Sequence, residues 1–157
     1  MNLELFYSRN CRDIIDDIEN ALTNAYGIEI NDYEELEPIY SAYNRRRGQY
    51  DAFPLLNFLI SRKTKEIALW VIDKDIYCDN MNFIFGYASQ GNGAILSIYR
   101  LNSTELIRKE AIHEVGHVLG LGHCHNHCVM QFSNSVEEAM KKPSELCEEC
   151  KRVLNLV

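Results

Sequence analysis

Apolar residues recur along this chain with two different periods. Leu3, Leu5 and Tyr7 alternate along an opening strand. From residue 14 the period lengthens. Ile14, Ile15, Ile18, Ala21, Leu22 and Ala25 fall at helical spacing, with Ser8 or Asn10 placed to cap the helix and Gly27 to stop it. Ile28 to Asn31 reads as a short second strand, and residues 31–50 are polar, with Arg45, Arg46 and Arg47 forming a solvated face. Asp51 and Pro54 open a second helix carrying Phe53, Leu56, Leu59 and Ile60. The run Ile67-Ala68-Leu69-Trp70-Val71-Ile72 lacks polar alternation, which fits a central parallel strand buried on both faces. The β-α-β-α-β order predicts a sheet covered by helices. Phe83 to Tyr87 and Ala94 to Tyr99 predict two more strands. Gly91-Asn92-Gly93 between them is a turn signal, so the pair reads as a hairpin whose second strand lies at the edge. A last long helix is expected over about 103–119, with Asn102 and Glu105 as its capping pair.

That helix carries the chemistry. It holds His113-Glu114-Val115-Gly116-His117 and continues through Gly120 to His123, giving H-E-x-x-H-x-x-G-x-x-H. Residues four apart lie about 40° from each other around a helix, one turn above the other, so His113 and His117 can hold one metal ion. Glu114 is placed to reach a water on that metal, while Ile107, Ala111, Val115 and Val118 form the core side. Gly120 falls where the helix must end, and a left-handed glycine there would turn the chain so that His123 returns to the metal. Chance supplies H-E-x-x-H in about 1–2% of chains of this composition and the full pattern in about two in 10⁵, so the extension carries the specificity. Three imidazoles leave one position of a tetrahedral zinc open for water. With Glu114 as general base and then general acid, the expected reaction is hydrolysis of a peptide bond.

Composition narrows the setting. The 157 residues are 46% hydrophobic and 25% charged, the proportions of one globular domain. The net charge of −7 disfavours a phosphate-backbone partner. Glu145, Glu148 and Glu149 beside Cys147 and Cys150 argue against a nucleic-acid-binding zinc finger in particular. No apolar run approaches the ~20 residues of a membrane span, and the N-terminus reads as neither signal peptide nor anchor, so a cytoplasmic chain without membrane contact is expected. In a reducing compartment, clustered cysteines serve metals more often than disulfides. Cys124-x₃-Cys128 and Cys147-x₂-Cys150 then read as one structural zinc site, with His125 or His127 as alternative ligands. Cys11 and Cys78 stand apart as free thiols.

The histidine motif resembles that of the metzincin clan of zinc metallopeptidases. Its combination with Cys124, Cys128, Met130 and Cys147-Glu148-Glu149-Cys150 is similar to the archaemetzincins, over residues 113–150, about a quarter of the chain. The resemblance implies a single metzincin-like domain over 1–157, with a zinc-finger-like subdomain at about 124–154. It implies an α/β fold around a twisted mixed sheet, parallel apart from one antiparallel edge strand. It implies one catalytic zinc on His113, His117 and His123, a second on the four cysteines, and Met130 in a tight turn beneath the histidines. A peptide or protein substrate would lie extended along the edge, here Ala94 to Tyr99. Two positions depart from the pattern. Only three residues separate Cys124 from Cys128, and Phe132 stands where some metzincins place a tyrosine that helps hold the oxyanion. Intact Glu114 favours an enzyme, and Phe132 leaves open a peptide-binding module that keeps the metals without turnover.

Overall fold

The computed structural model describes residues 1–156. In chain order its elements are β1 (Asn2–Tyr7), a 3-10 turn (Arg9–Ile14), α1 (Ile15–Tyr26), β2 (Glu29–Glu35), β3 (Tyr43–Asn44), β4 (Gln49–Asp51), α2 (Ala52–Arg62), β5 (Ile67–Ile72), β6 (Ile76–Tyr77), β7 (Gly86–Ser89), β8 (Gly93–Ser97), α3 (Thr104–Val118), α4 (Val136–Lys141) and α5 (Glu148–Val153). The main sheet runs β2-β1-β5-β8-β7, parallel except for β7, which pairs antiparallel with β8. β3, β4 and β6 form a small second sheet.

Strand alternation divides the core in two. Leu3, Leu5, Leu69, Val71 and Leu96 face α1 and α3, while Phe6, Ala68, Trp70, Ile72 and Ile95 face α2. β5 is buried at every position, as its unbroken apolar run predicts. The α1 stop is also as expected: Gly27 sits at φ 67°, and its N–H reaches Thr23 O at 2.8 Å. Asp51 caps α2 by accepting from the Phe53 N–H at 3.1 Å.

Several expectations are corrected. Ala94 to Tyr99 is not an edge strand. Residues 93–97 are buried throughout, paired with β5 on one side and β7 on the other. The physical reason lies in the residues themselves, because Ala94-Ile95-Leu96 offers no polar side to water and needs a neighbour on both flanks. The edge is β7, shifted C-terminally from the expected 83–87 to 86–89, all four residues half-buried. β2 extends five residues beyond its buried position at Ile30, ending in Glu34 and Glu35, where ion pairs with Arg62 and Arg9 replace apolar burial. On α2, Phe53 faces solvent at 59% exposure and Leu55 takes the core position instead. The cap of α3 is Ser103, not Asn102; its hydroxyl accepts from the Leu106 N–H at 3.2 Å. Arg45, Arg46 and Arg47 are exposed, as expected, and Arg47 also makes contacts. Its guanidinium stacks 3.9 Å from the Tyr77 ring and donates to Met81 O and Asn82 O, fastening the loop before β7. Cys11 is buried in the core, where burial first, then Asp73 and Glu37, pushes its thiol up to about 12. No helix among the described residues is long and apolar enough to cross a membrane.

Candidate metal centre

α3 presents its ligand side beneath β7. His113 and His117 stand one turn apart, with ring centroids 4.6 Å from each other. Leu121 N–H closes onto Gly116 O at 2.9 Å as the helix ends. Gly120, at φ 111°, then reverses the chain, and this brings His123 to 5.4 and 4.8 Å, between centroids, from the other two rings. Each helical imidazole is oriented by a backbone carbonyl. Val129 O lies 2.9 Å from His113 Nδ1, and Leu121 O lies 2.8 Å from His117 Nδ1. A carbonyl only accepts, so both Nδ1 atoms carry the proton and both Nε2 atoms present lone pairs. Those two Nε2 atoms face each other at 3.1 Å. Two acceptors turned toward each other repel unless a cation lies between them. The ligand atoms of His113, His117 and His123 all lie within 4.8 Å of one another, so the donor set fits zinc. Burial holds all three imidazoles below their ordinary range, in the neutral form a metal requires.

Glu114 points into the same cleft, a hollow of about 420 Å³ bounded by β7, α3 and residues 132–134. Burial pushes its carboxyl up to about 8, with Glu110 adding to the rise and Lys142 opposing it. The backbone of Gly86 lies directly over this carboxyl. A β-carbon built there would fall 2.7 Å from Glu114 Oε2, and closer still to Cγ and Cδ. Gly116, inside the motif, allows a second close approach. A β-carbon there would meet Met130 Sδ at 2.5 Å and Tyr26 Oη at 2.8 Å. Met130 is fully buried beneath the histidines, and Tyr26 donates to Ile112 O at 2.6 Å. The spacing-based reading missed both glycines as site residues. Each carried a signal, since glycine inside a helix or strand weakens it unless something must come close. Phe132 sits 5.1 Å from the His123 ring, between centroids, and its side chain offers no hydroxyl.

The four cysteines assemble as a second group. Cys124, Cys128, Cys147 and Cys150 place their sulfurs within 4.8 Å of one another. The pairs Cys124–Cys147 and Cys128–Cys150 are each 3.8 Å apart, the edge of a tetrahedron with ~2.3 Å zinc–sulfur bonds. Backbone N–H groups of Asn126, Met130 and Cys147 point at these sulfurs, as thiolate ligands require. At Cys147 burial alone would raise the thiol, but hydrogen bonds involving the Cys150 backbone, Asn126 and the neighbouring sulfurs bring it down to about 6. His125 and His127 are exposed and belong to neither group. Cys78 is half-buried at the cleft rim.

Three consecutive residues join the two centres. Cys128 gives its sulfur to the thiol group, Val129 O orients His113, and Met130 packs under Gly116.

A model of peptidase family M54 matches residues 4–156. The chain belongs to peptidase family M54. Archaemetzincin from Nanoarchaeum equitans is 47% identical over 135 residues, covering 85% of this chain and 79% of that protein. The crystal structure of archaemetzincin from Archaeoglobus fulgidus, complexed with malonate, superposes with a TM-score of 0.89 at 36% identity, over 97% of this chain and 99% of that one. Archaemetzincin from Methanopyrus kandleri gives 0.90 at 32% identity, over 99% and 93%. This M54 chain is therefore a zinc metallopeptidase with the archaemetzincin fold.

Proposed function

We propose that this M54 peptidase cleaves an extended peptide laid along the open edge of β7, with Glu114 moving the proton, and that each chain carries two zincs. The observation that carries the reading is the convergence of three neutral imidazoles and one buried carboxyl in a single cleft beneath an unpaired strand edge. His113, His117 and His123 would hold the catalytic zinc, which supplies the Lewis acid that polarises a carbonyl and acidifies water. Cys124, Cys128, Cys147 and Cys150 would hold the structural zinc. A C-x₃-C and a C-x₂-C pair so joined would tie the segment after His123 to α5.

The protein groups divide the remaining work. β7 pairs with β8 on one side only, so its other edge offers backbone N–H and C=O groups to a peptide strand. Glu114 Oε takes a proton from the attacking water and returns it to the leaving nitrogen. Its burial in the cleft keeps that proton exchange away from bulk solvent. Gly86 brings the substrate-binding edge and this carboxyl together. With Phe132 giving no hydroxyl, further oxyanion support would come from the backbone or from another polar group of the cleft.

Comparing a peptide-library digest by the wild type with one by Glu114→Ala tests the reading. Activity should fall by about 10²–10⁴. Equal cleavage by both proteins rejects Glu114 as the base and leaves a zinc-held binding module as the better description.

A further inference from the structure

Two lysines of this chain are buried as deeply as core leucines, at 3% exposure for Lys109 and 2% for Lys142. Lysine is almost never buried unless paired, and catalysis as described above uses neither residue. Lys109 Nζ donates to the carbonyls of Ala139, Met140 and Lys142 at 3.2, 3.1 and 2.7 Å. It thereby caps the C-terminal end of α4, a six-residue helix too short to persist alone. Lys142 reaches the opposite way. Its Nζ lies 2.8 Å from Glu110 Oε2, donates to Gln131 O at 3.3 Å and touches His113 Nδ1 at 3.3 Å. The neighbouring α3 residues Lys109 and Glu110 therefore grip one residue, the first by its carbonyl and the second by its ammonium.

The gripped segment is the cleft wall facing β7. Gln131 begins it, Phe132, Ser133 and Asn134 line the hollow, and α4 closes it. Glu110 lines the same hollow one turn before Glu114. Buried ion pairs seldom add net stability over a well-packed apolar pair. A pair placed where it fixes the distance between catalytic helix and cleft wall does something that apolar packing does less sharply.

We infer that Lys109, Glu110 and Lys142 form a charged clamp that holds the 131–134 wall at a fixed distance from α3, and thereby restricts which substrate side chains enter beside Glu114. These are positioning residues, and the inference rests on the reading that peptide occupies this cleft.

The test compares zinc-loaded wild type with Lys142→Met, with the double variant Glu110→Leu/Lys142→Met, and with Lys109→Met. Lys142→Met alone strands a buried carboxylate and should lower Tm by about 10 °C. The double variant should recover most of that loss, because an apolar pair replaces the ionic one. Despite that recovery, its cleavage-site profile should broaden. KM for a preferred peptide should rise at least about tenfold, by more than kcat falls, the pattern of lost uniform binding. Lys109→Met, which leaves Glu110 and Lys142 paired, should speed hydrogen exchange in residues 131–142 by about tenfold or more and shift the profile the same way. That exchange readout serves even if the double variant fails to fold. An unchanged profile and KM in a folded double variant overturns the inference, as does unchanged exchange at 131–142 in Lys109→Met. Failure of the peptidase reading would show separately, as undiminished cleavage by Glu114→Ala.

Discussion

Replacing Gly86 with alanine tests how closely the edge strand and Glu114, the proposed proton-transfer group, are fitted. The new methyl carbon would lie 2.7 Å from Glu114 Oε2, with Cγ and Cδ nearer still, against an ordinary contact of about 3.5–4 Å. Something must move by about 1 Å. Gly86 cannot retreat easily, because its strand is paired with Leu96 of β8 on its far side. The carboxyl therefore yields. Overpacking of this kind costs about 1–3 kcal/mol, and a catalytic group misplaced by about 1 Å costs about 10² in rate. The expected variant binds zinc normally, has a Tm lower by about 2–10 °C and has kcat reduced by about 10²–10³, with KM little changed. Steady-state kinetics on one peptide, metal analysis and thermal denaturation on the same preparation supply the three readouts. A Gly86→Ala protein with full zinc and kcat within about threefold of wild type would refute the reasoning, because the carboxyl would then have had room to spare.

Other consequences can be checked independently. Gly116→Ala should lower Tm by several degrees despite alanine's better helix propensity, since its methyl meets Met130 Sδ and Tyr26 Oη; a rise in Tm in a melting experiment contradicts this. Metal analysis should return two zincs per chain, falling to one under mild chelation as the four-thiol site retains its ion. Cys147→Ser should lose that ion and also weaken zinc binding at the histidines through the 128–130 segment; loss of one equivalent with unchanged activity would separate the centres. In the chelated protein, the neutral His113, His117 and His123 must gain protons on unfolding below about pH 6.5, so they favour unfolding as pH falls. Glu114, raised in the fold, acts the opposite way between its ordinary range and about 8. The lowered imidazoles outnumber the one raised carboxyl, so the chelated protein should lose stability as the pH drops below 6.5 toward 5, measurable by denaturant titration. Stability that rises on acidification over that interval contradicts the assignment.

What could be read in advance followed the range of the interactions. The core face of α3 and the glycine stops at 27 and 120 are local, set by helical spacing and backbone freedom, and the structure places them as expected; His113, Glu114 and His117 share that helix. Strand order is decided by partners far away in sequence, so a hairpin signal at 91–93 predicts an edge at 94–99 while the structure puts it at 86–89. The apolar run at 94–96 is the local feature that agrees with the structure, since it suits a strand paired on both flanks. The β3-β4-β6 sheet is built from strands of two or three residues, too short for any period to register. Lys142 gave no signal at all, because nothing in a Lys-Lys-Pro sequence distinguishes a buried ammonium from a solvated one.

The tripeptide Cys128-Val129-Met130 has a consequence for how the enzyme comes into being. A growing chain presents His113, His117 and His123 well before Cys147 and Cys150. The carbonyl that orients His113 belongs to a residue flanked by the thiol site, and that site cannot close until its last two sulfurs have been synthesised. If the four thiols hold a zinc, a chain ending before residue 147 should therefore bind metal at its histidines more weakly than the full chain, which a metal titration of such a truncated chain would test.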